Sequence, residues 1–126
     1  MSKIKTSELT GRALDYAVAV ACEIDVTVDV GYPLTQQHKG WPPLIYNPST
    51  DWSLCGQLIE KYGIELINEL VNGHLVWSAN SYYWSDDYLD GDTPQIAICR
   101  AVVAFRLCDE VEIPDELLDG KYDRET

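Results

Sequence analysis

The chain has 126 residues, of which 46% are hydrophobic and 24% charged, so length and composition predict one globular domain with a sizeable core. Its 21 acidic against 9 basic residues leave a net charge of −12. That balance excludes phosphate-led nucleic-acid binding and docking on an anionic membrane, both of which need clustered Lys and Arg, but it suits a basic protein partner.

Taken in order, Met1 to Thr6 shows no apolar run behind its charges, which predicts no signal peptide and a cytoplasmic protein. Lys3–Thr6 suits a short edge strand. Ser7 or Thr10 then opens a helix through Cys22, with Leu9, Ala13, Tyr16, Ala17 and Val20 at three- and four-residue spacing. Ile24–Val30 alternates strictly, Ile24, Val26, Val28 and Val30 against Asp25, Thr27 and Asp29, as a strand with one wet face does. The two carboxylates are read as solvated charge on that outer face rather than as an acid–base pair.

Gly31–Pro43 reads as a loop, since it contains Pro33, Gly40, Pro42 and Pro43. Leu44–Tyr46 adds a short strand. Asn47-Pro-Ser-Thr50 makes a turn into a helix from about Asp51 to Tyr62, which Gly63 closes in the left-handed region. Asn72-Gly73 between two extended arms is a strong hairpin signal. Ser81–Asp92 reads as irregular and dense in aromatics and carboxylates.

Thr93 as N-cap and Pro94 at the first helical position then open a helix from Ile96 towards Cys108. Its apolar residues run nearly all round, so it must be covered on several sides, yet it is too short to span a bilayer. Asp109–Pro114 suits an edge strand. The element order predicts an α+β domain over residues 1–114, a small mainly antiparallel sheet with helices packed on it, and a charged, frayed tail over 115–126.

Cys22, Cys55, Cys99 and Cys108 all fall in apolar helical contexts, with no Cys-x-x-Cys and neither His38 nor His74 nearby. Free buried thiols are expected, with no metal and no cofactor. Asp86, Asp87, Asp90 and Asp92 miss the register of a calcium loop and read as solvated charge.

Several stretches resemble the NinX-like proteins of tailed bacteriophages: Lys5-Thr-Ser-Glu-Leu-Thr-Gly-Arg-Ala-Leu-Asp-Tyr-Ala-Val-Ala19, Tyr46-Asn-Pro-Ser-Thr-Asp-Trp52, Gly91-Asp-Thr-Pro94 and Cys108-Asp-Glu-Val-Glu-Ile-Pro114. Leu14-Asp15, Ser49-Thr-Asp51 and Pro94 to Arg100 are also similar to the broader phage α/β/α sandwich domain. The resemblance implies a phage accessory protein with α/β/α layering, made in the host bacterial cytoplasm. It supplies no activity.

Function must therefore be read from residues. No nucleophile motif, phosphate loop or zinc spacing occurs, so no catalytic residues are assigned and the reading leans away from an enzyme. Tyr46, Asn47, Ser49, Thr50, Asp51 and Trp52 surround a helix start, where free N–H groups can hold polar atoms of a ligand. Trp41, Tyr82, Tyr83 and Trp84 offer flat surfaces for a base. Arg100, a lone cation in an apolar helix, can pair with a phosphate; an internal ion pair with Asp15 or Asp51 is its alternative. The leading reading is non-catalytic capture of a nucleotide-derived bacterial immune signal, aided by a homo-oligomer. Two readings compete with it: an acidic DNA-mimic inhibitor of a host protein, and a nucleotide-degrading enzyme.

Overall fold

A computed structural model describes residues 1–36, 39–82 and 88–118. Its centre is helix α3, Pro94–Arg106. Thr93 Oγ1 accepts from the Ile96 N–H at 3.1 Å, and Pro94 stands in the first turn, where its missing N–H costs nothing. Ala97, Ile98, Cys99 and Ala101 to Ala104 are buried. Each large side chain among them is worth roughly 1.5–3 kcal/mol of transfer from water. Cover comes from helix α1 (Gly11–Ala21), helix α2 (Trp52–Tyr62) and a sheet of three strands, β5 (Ile64–Val71), β6 (His74–Ser81) and β7 (Leu89–Gly91).

The domain is α+β, and all its strand pairs are antiparallel, divided among three small sheets. Strand β1 (Ser2–Lys5) pairs with β8 (Glu110–Ile113). Strands β2 (Val26–Asp29), β3 (Tyr32–Thr35) and β4 (Leu44–Ile45) form the second sheet, and β5-β6-β7 the third. Asn72 (φ 51) and Gly73 (φ 82) make the predicted two-residue turn between β5 and β6. Gly63, at φ 58, closes α2 as expected, its N–H donating to Ile59 O.

Four expectations are corrected. The loop over Gly31–Pro43 contains β3. Val30 and Gly31, both at positive φ, turn β2 directly back on it. A two-residue hairpin closes on the hydrogen-bonded pair Asp29–Tyr32, so the next pair, Val28–Pro33, is one in which the missing proline N–H is not used by β2. The strand expected over Ile24–Val30 shortens, because Ile24 is spent on ending α1. Glu23 N–H donates to Val20 O and Ile24 N–H to Ala19 O, with Glu23 left-handed at φ 59. Leu89–Gly91, inside the expected irregular segment, is β7. Cys108 lies outside α3 and is exposed, whereas Cys55 and Cys99 are buried.

Arg106 fastens the ends of α1 and α3 together, donating to Ala21 O and pairing with Glu23 Oε2 at 3.1 Å. Past Pro114, a single 3₁₀ turn over Asp115–Leu117 puts Leu117 into the core. His38, Tyr83, Trp84, Asp86, Asp87 and residues 119–126 of the tail lie outside the described residues.

Candidate functional site

The turn Asn47–Thr50 is built before any ligand is considered. Asn47 O accepts from the N–H groups of Thr50 and Asp51, and Asn47 Nδ2 donates to Thr50 Oγ1 at 3.1 Å. Asp51 is then the N-cap of α2, accepting from the Ser53 N–H at 2.8 Å and its hydroxyl at 2.6 Å. Those bonds hold its carboxyl below its ordinary pKa.

Ser49 is turned the other way, into the core. Its N–H donates to Asp15 Oδ1 at 2.8 Å, joining the turn to α1. Asp15 is only 4% exposed, and burial pushes its carboxyl up to about 6, although the bonds from Ser49 pull it back. The Ser49 hydroxyl lies beside the same carboxylate, close enough to lower its pKa, without making a well-formed hydrogen bond to any described residue.

Between this turn, the start of α1 and strand β3 is a cavity of 260 Å³, walled by Gly11, Arg12, Asp15, Tyr32, Pro33, Ile45, Asn47, Ser49 and Thr50. The Arg12 guanidinium lies 4.2 Å from the centre of the Tyr32 ring, and its Nη1 donates to Gly31 O at 3.3 Å. A cation held against an aromatic face is fixed in direction. The first turn of α1 contains no acidic residue, so its partial positive charge is not already answered there.

Of the residues the sequence reading named, Asn47, Ser49 and Thr50 line this cavity. Tyr46 is buried, and its hydroxyl pKa is driven upward by that burial. It lines a neighbouring cavity of 290 Å³ with Cys22, Thr35, Gln57 and Lys61. Trp52 is half exposed on α2. Trp41 and Tyr82 are 66% and 85% exposed and line neither of these cavities. Tyr83 and Trp84 are outside the described residues.

Arg100 is held elsewhere. Its Nε donates to Leu9 O at 2.8 Å and its Nη1 to Asp90 O at 2.7 Å. Asp15 and Asp51 are engaged instead by Ser49 and Ser53. Burial lowers the Arg100 pKa, and Asp92 and Asp90 oppose the shift.

Gly11, Arg12, Asp15, Tyr32, Pro33 and Ile45 are the wall residues that the sequence reading did not name as site residues. Arg12 was given no role, Asp15 was considered only as a partner for Arg100, and Tyr32 lay in what looked like a loop. The one usable signal was Gly11-Arg12 directly after a cap residue, an arrangement that leaves N–H groups and a cation at the same end of a helix.

A third cavity, of 530 Å³, lies at the β1–β8 seam between Lys5, Thr6, Ser7, Leu89, Ala104, Cys108, Asp109 and Glu110. Among the described residues no cluster of three or more His, Cys, Asp or Glu could hold a metal, and no helix is long and apolar enough to cross a membrane.

This α+β domain with its small, mostly apolar cavity belongs to a bacteriophage protein. The chain belongs to the family described as Bacteriophage P22, NinX, which it matches over residues 5–106. The matched span includes the whole wall of the 260 Å³ cavity. No functionally curated protein matches the chain in sequence.

Proposed function

We propose that this phage protein acts without catalysis, capturing a small nucleotide-derived ligand of the bacterial host and so withdrawing an immune signal. The observation that carries the reading is the 260 Å³ cavity, which combines a cation, hydrogen-bonding groups and an apolar side in one wall. Arg12 supplies charge for a phosphate, Asn47 and Thr50 offer polar atoms to a sugar, and Tyr32, Pro33 and Ile45 offer surface to a base. The volume lies just below the ~300–1,000 Å³ usual for small-molecule sites, which suits a single nucleotide unit. Relative to the sequence reading, the phosphate-binding role passes from Arg100 to Arg12, since Arg100 is already committed to two backbone carbonyls.

The test is native mass spectrometry of protein recovered from infected, immune-activated cells, followed by calorimetric titration with a panel of nucleotides. A bound nucleotide mass that denaturation releases intact is expected; release of a hydrolysed product would make the protein an enzyme instead. Arg12→Met should weaken binding roughly ten- to hundred-fold, the loss of one charge-assisted contact. If neither recovered nor titrated protein binds any nucleotide, the capture reading is wrong.

A further inference from the structure

Strand β5 presents the longest open edge among the described strands. It and β6 have eight residues each and the others four or fewer, and while β6 is paired on both sides, β5 is paired on one. The two-residue hairpin closes on the hydrogen-bonded pair Val71–His74, so Glu69–Val76 and Ile67–Ser78 bond as well. The bond from Tyr82 N–H to Gly63 O keeps the same alternation at the far end. Odd-numbered residues of β5 thus turn their backbone groups to β6. Those of Leu66, Asn68 and Leu70 point to the open side, where they meet no backbone partner among the described residues. Such an edge is a template for a further strand.

We infer that this further strand is β5 of a second copy of the chain, antiparallel and centred on Asn68, joining the two sheets across a two-fold axis. The charges on β5 select that register. Because outward groups fall on alternate residues, two such edges bond only when the axis passes through a residue, not between two. An axis through Ile67 sets Glu65 against Glu69 of the second copy, and one through Glu65 or Glu69 sets a carboxylate against itself. An axis through Leu66 or Leu70 pairs a shorter stretch. Through Asn68, Leu66 meets Leu70 of the second copy and Asn68 meets its own equivalent, each pair exchanging two backbone hydrogen bonds. Glu65 then stands opposite Val71, and Glu69 opposite Ile67, of that copy.

The apolar surface suits the same occupant. Leu70 and Leu75 share a face with Leu66, Trp77 and Ala79, which pack on the core, yet Leu70 is 71% exposed and Leu75 is exposed beside it. In the paired sheet Leu70 lies against Leu66 of the second copy, and this overhang is covered on both copies at once. The paired stretch is about 24 Å long and one sheet deep. It therefore buries less than the ~800 Å² per partner of a standard interface, and the dimer should be weak, with a Kd of roughly 10–100 μM. No residue of β5 lines the 260 Å³ cavity, so the pairing stands apart from ligand capture.

Sedimentation of the full chain from about 10 μM to about 1 mM should show a monomer–dimer equilibrium. Salt should tighten it, because each copy carries a net charge of −12. Amide exchange by NMR at the two ends of that range locates the interface. Leu66, Asn68 and Leu70 should gain protection at the higher concentration, while Ile67 and Glu69 are protected at both. Asn68→Pro removes an N–H that β6 does not use, so the hairpin should survive while dimerisation weakens roughly tenfold or more. Ile67→Lys sets a cation against Glu69 of the second copy, twice per dimer, and should tighten pairing roughly three- to tenfold. If Asn68→Pro fails to fold, the amide pattern and Ile67→Lys still decide. A chain that stays monomeric to about 1 mM overturns the pairing, whether the edge is left to water or to a different protein. So does a dimer whose Leu66, Asn68 and Leu70 amides exchange as in the monomer, or one that Ile67→Lys loosens.

Discussion

Arg100→Met should destabilise the free protein. The arginine joins two distant segments, Leu9 just ahead of α1 and Asp90 on β7, through backbone carbonyls. Methionine keeps much of the aliphatic stem and its packing but removes both donors. A hydrogen bond to a charged group is worth ~1.5–3 kcal/mol, and a buried acceptor left alone adds its desolvation cost. The Asp90 carbonyl is on the exposed side, so water replaces most of that bond. The Leu9 bond is part-buried, and Leu9 itself is 1% exposed, so little is recovered there.

The sum is about 2–3 kcal/mol, and at ~3–5 °C per kcal/mol for a domain of this size the melting temperature should fall by roughly 6–15 °C. Thermal melts by circular dichroism, checked against urea midpoints, measure it. Arg100→Lys, a point charge that reaches one carbonyl at a time, should fall between parent and methionine variant. A methionine variant melting within about 2 °C of the parent would refute the bridging role and return Arg100 to the ligand question.

Three further outcomes follow from local geometry. Val30 is 69% exposed yet sits at φ 50, so Val30→Asn should stabilise the β2–β3 hairpin by about 1 kcal/mol, read as a higher urea midpoint. A Cβ at Gly91 would lie 2.6 Å from Ala97 N and 2.9 Å from Ile96 Cγ2, so Gly91→Ala should cost ~1–3 kcal/mol, or more if β7 cannot shift, as the same melts would show. Asp15, at about 6 against an ordinary 3.8, holds its proton more tightly folded than unfolded. Its contribution is therefore most favourable at low pH and declines as pH rises from about 4 through 6, by up to ~3 kcal/mol. Asp15→Asn should accordingly be more stable than the parent at pH 7.5, with the gap closing near pH 4.5; a gap that does not change with pH would contradict the burial of that charge.

Where local signals and tertiary needs agreed, the chain was readable. Thr93-Pro94, the all-round apolar run behind them, Gly63 and Asn72-Gly73 each state a backbone geometry, and each is found where expected. Strand β3 was hidden because Pro33 argues for a loop, and only its place in the hairpin ladder makes the missing N–H harmless. The preceding turn was hidden because Val30 is a residue that the left-handed region disfavours, tolerated there under the constraint of the paired strands. The site was half legible. The Asn47–Thr50 turn is a local motif, whereas its partners on α1 and β3 arrive through tertiary packing that no spacing in the sequence displays. Arg100 misled for the same reason, since its acceptors are backbone carbonyls, which every residue carries.

The pairing of β1 with β8 sets an order of assembly. Its partners, from Ser2–Ile113 to Lys5–Glu110, are separated by nearly the length of the folded domain. Closing a loop of roughly a hundred residues costs about 4 kcal/mol on the logarithmic length relation, and four short pairs cannot meet that alone. The seam must wait until α3 and its sheet have already brought the two segments near each other. It is then the last part to close on folding and the first to part on unfolding. Amide protons of Ile4 and Val111 should therefore exchange sooner than those of Ile98 and Val102, and each opening of the seam exposes Thr6 and the wall of the 530 Å³ cavity while the cavity beside Arg12 stays closed in by α1, β3 and the Asn47–Thr50 turn.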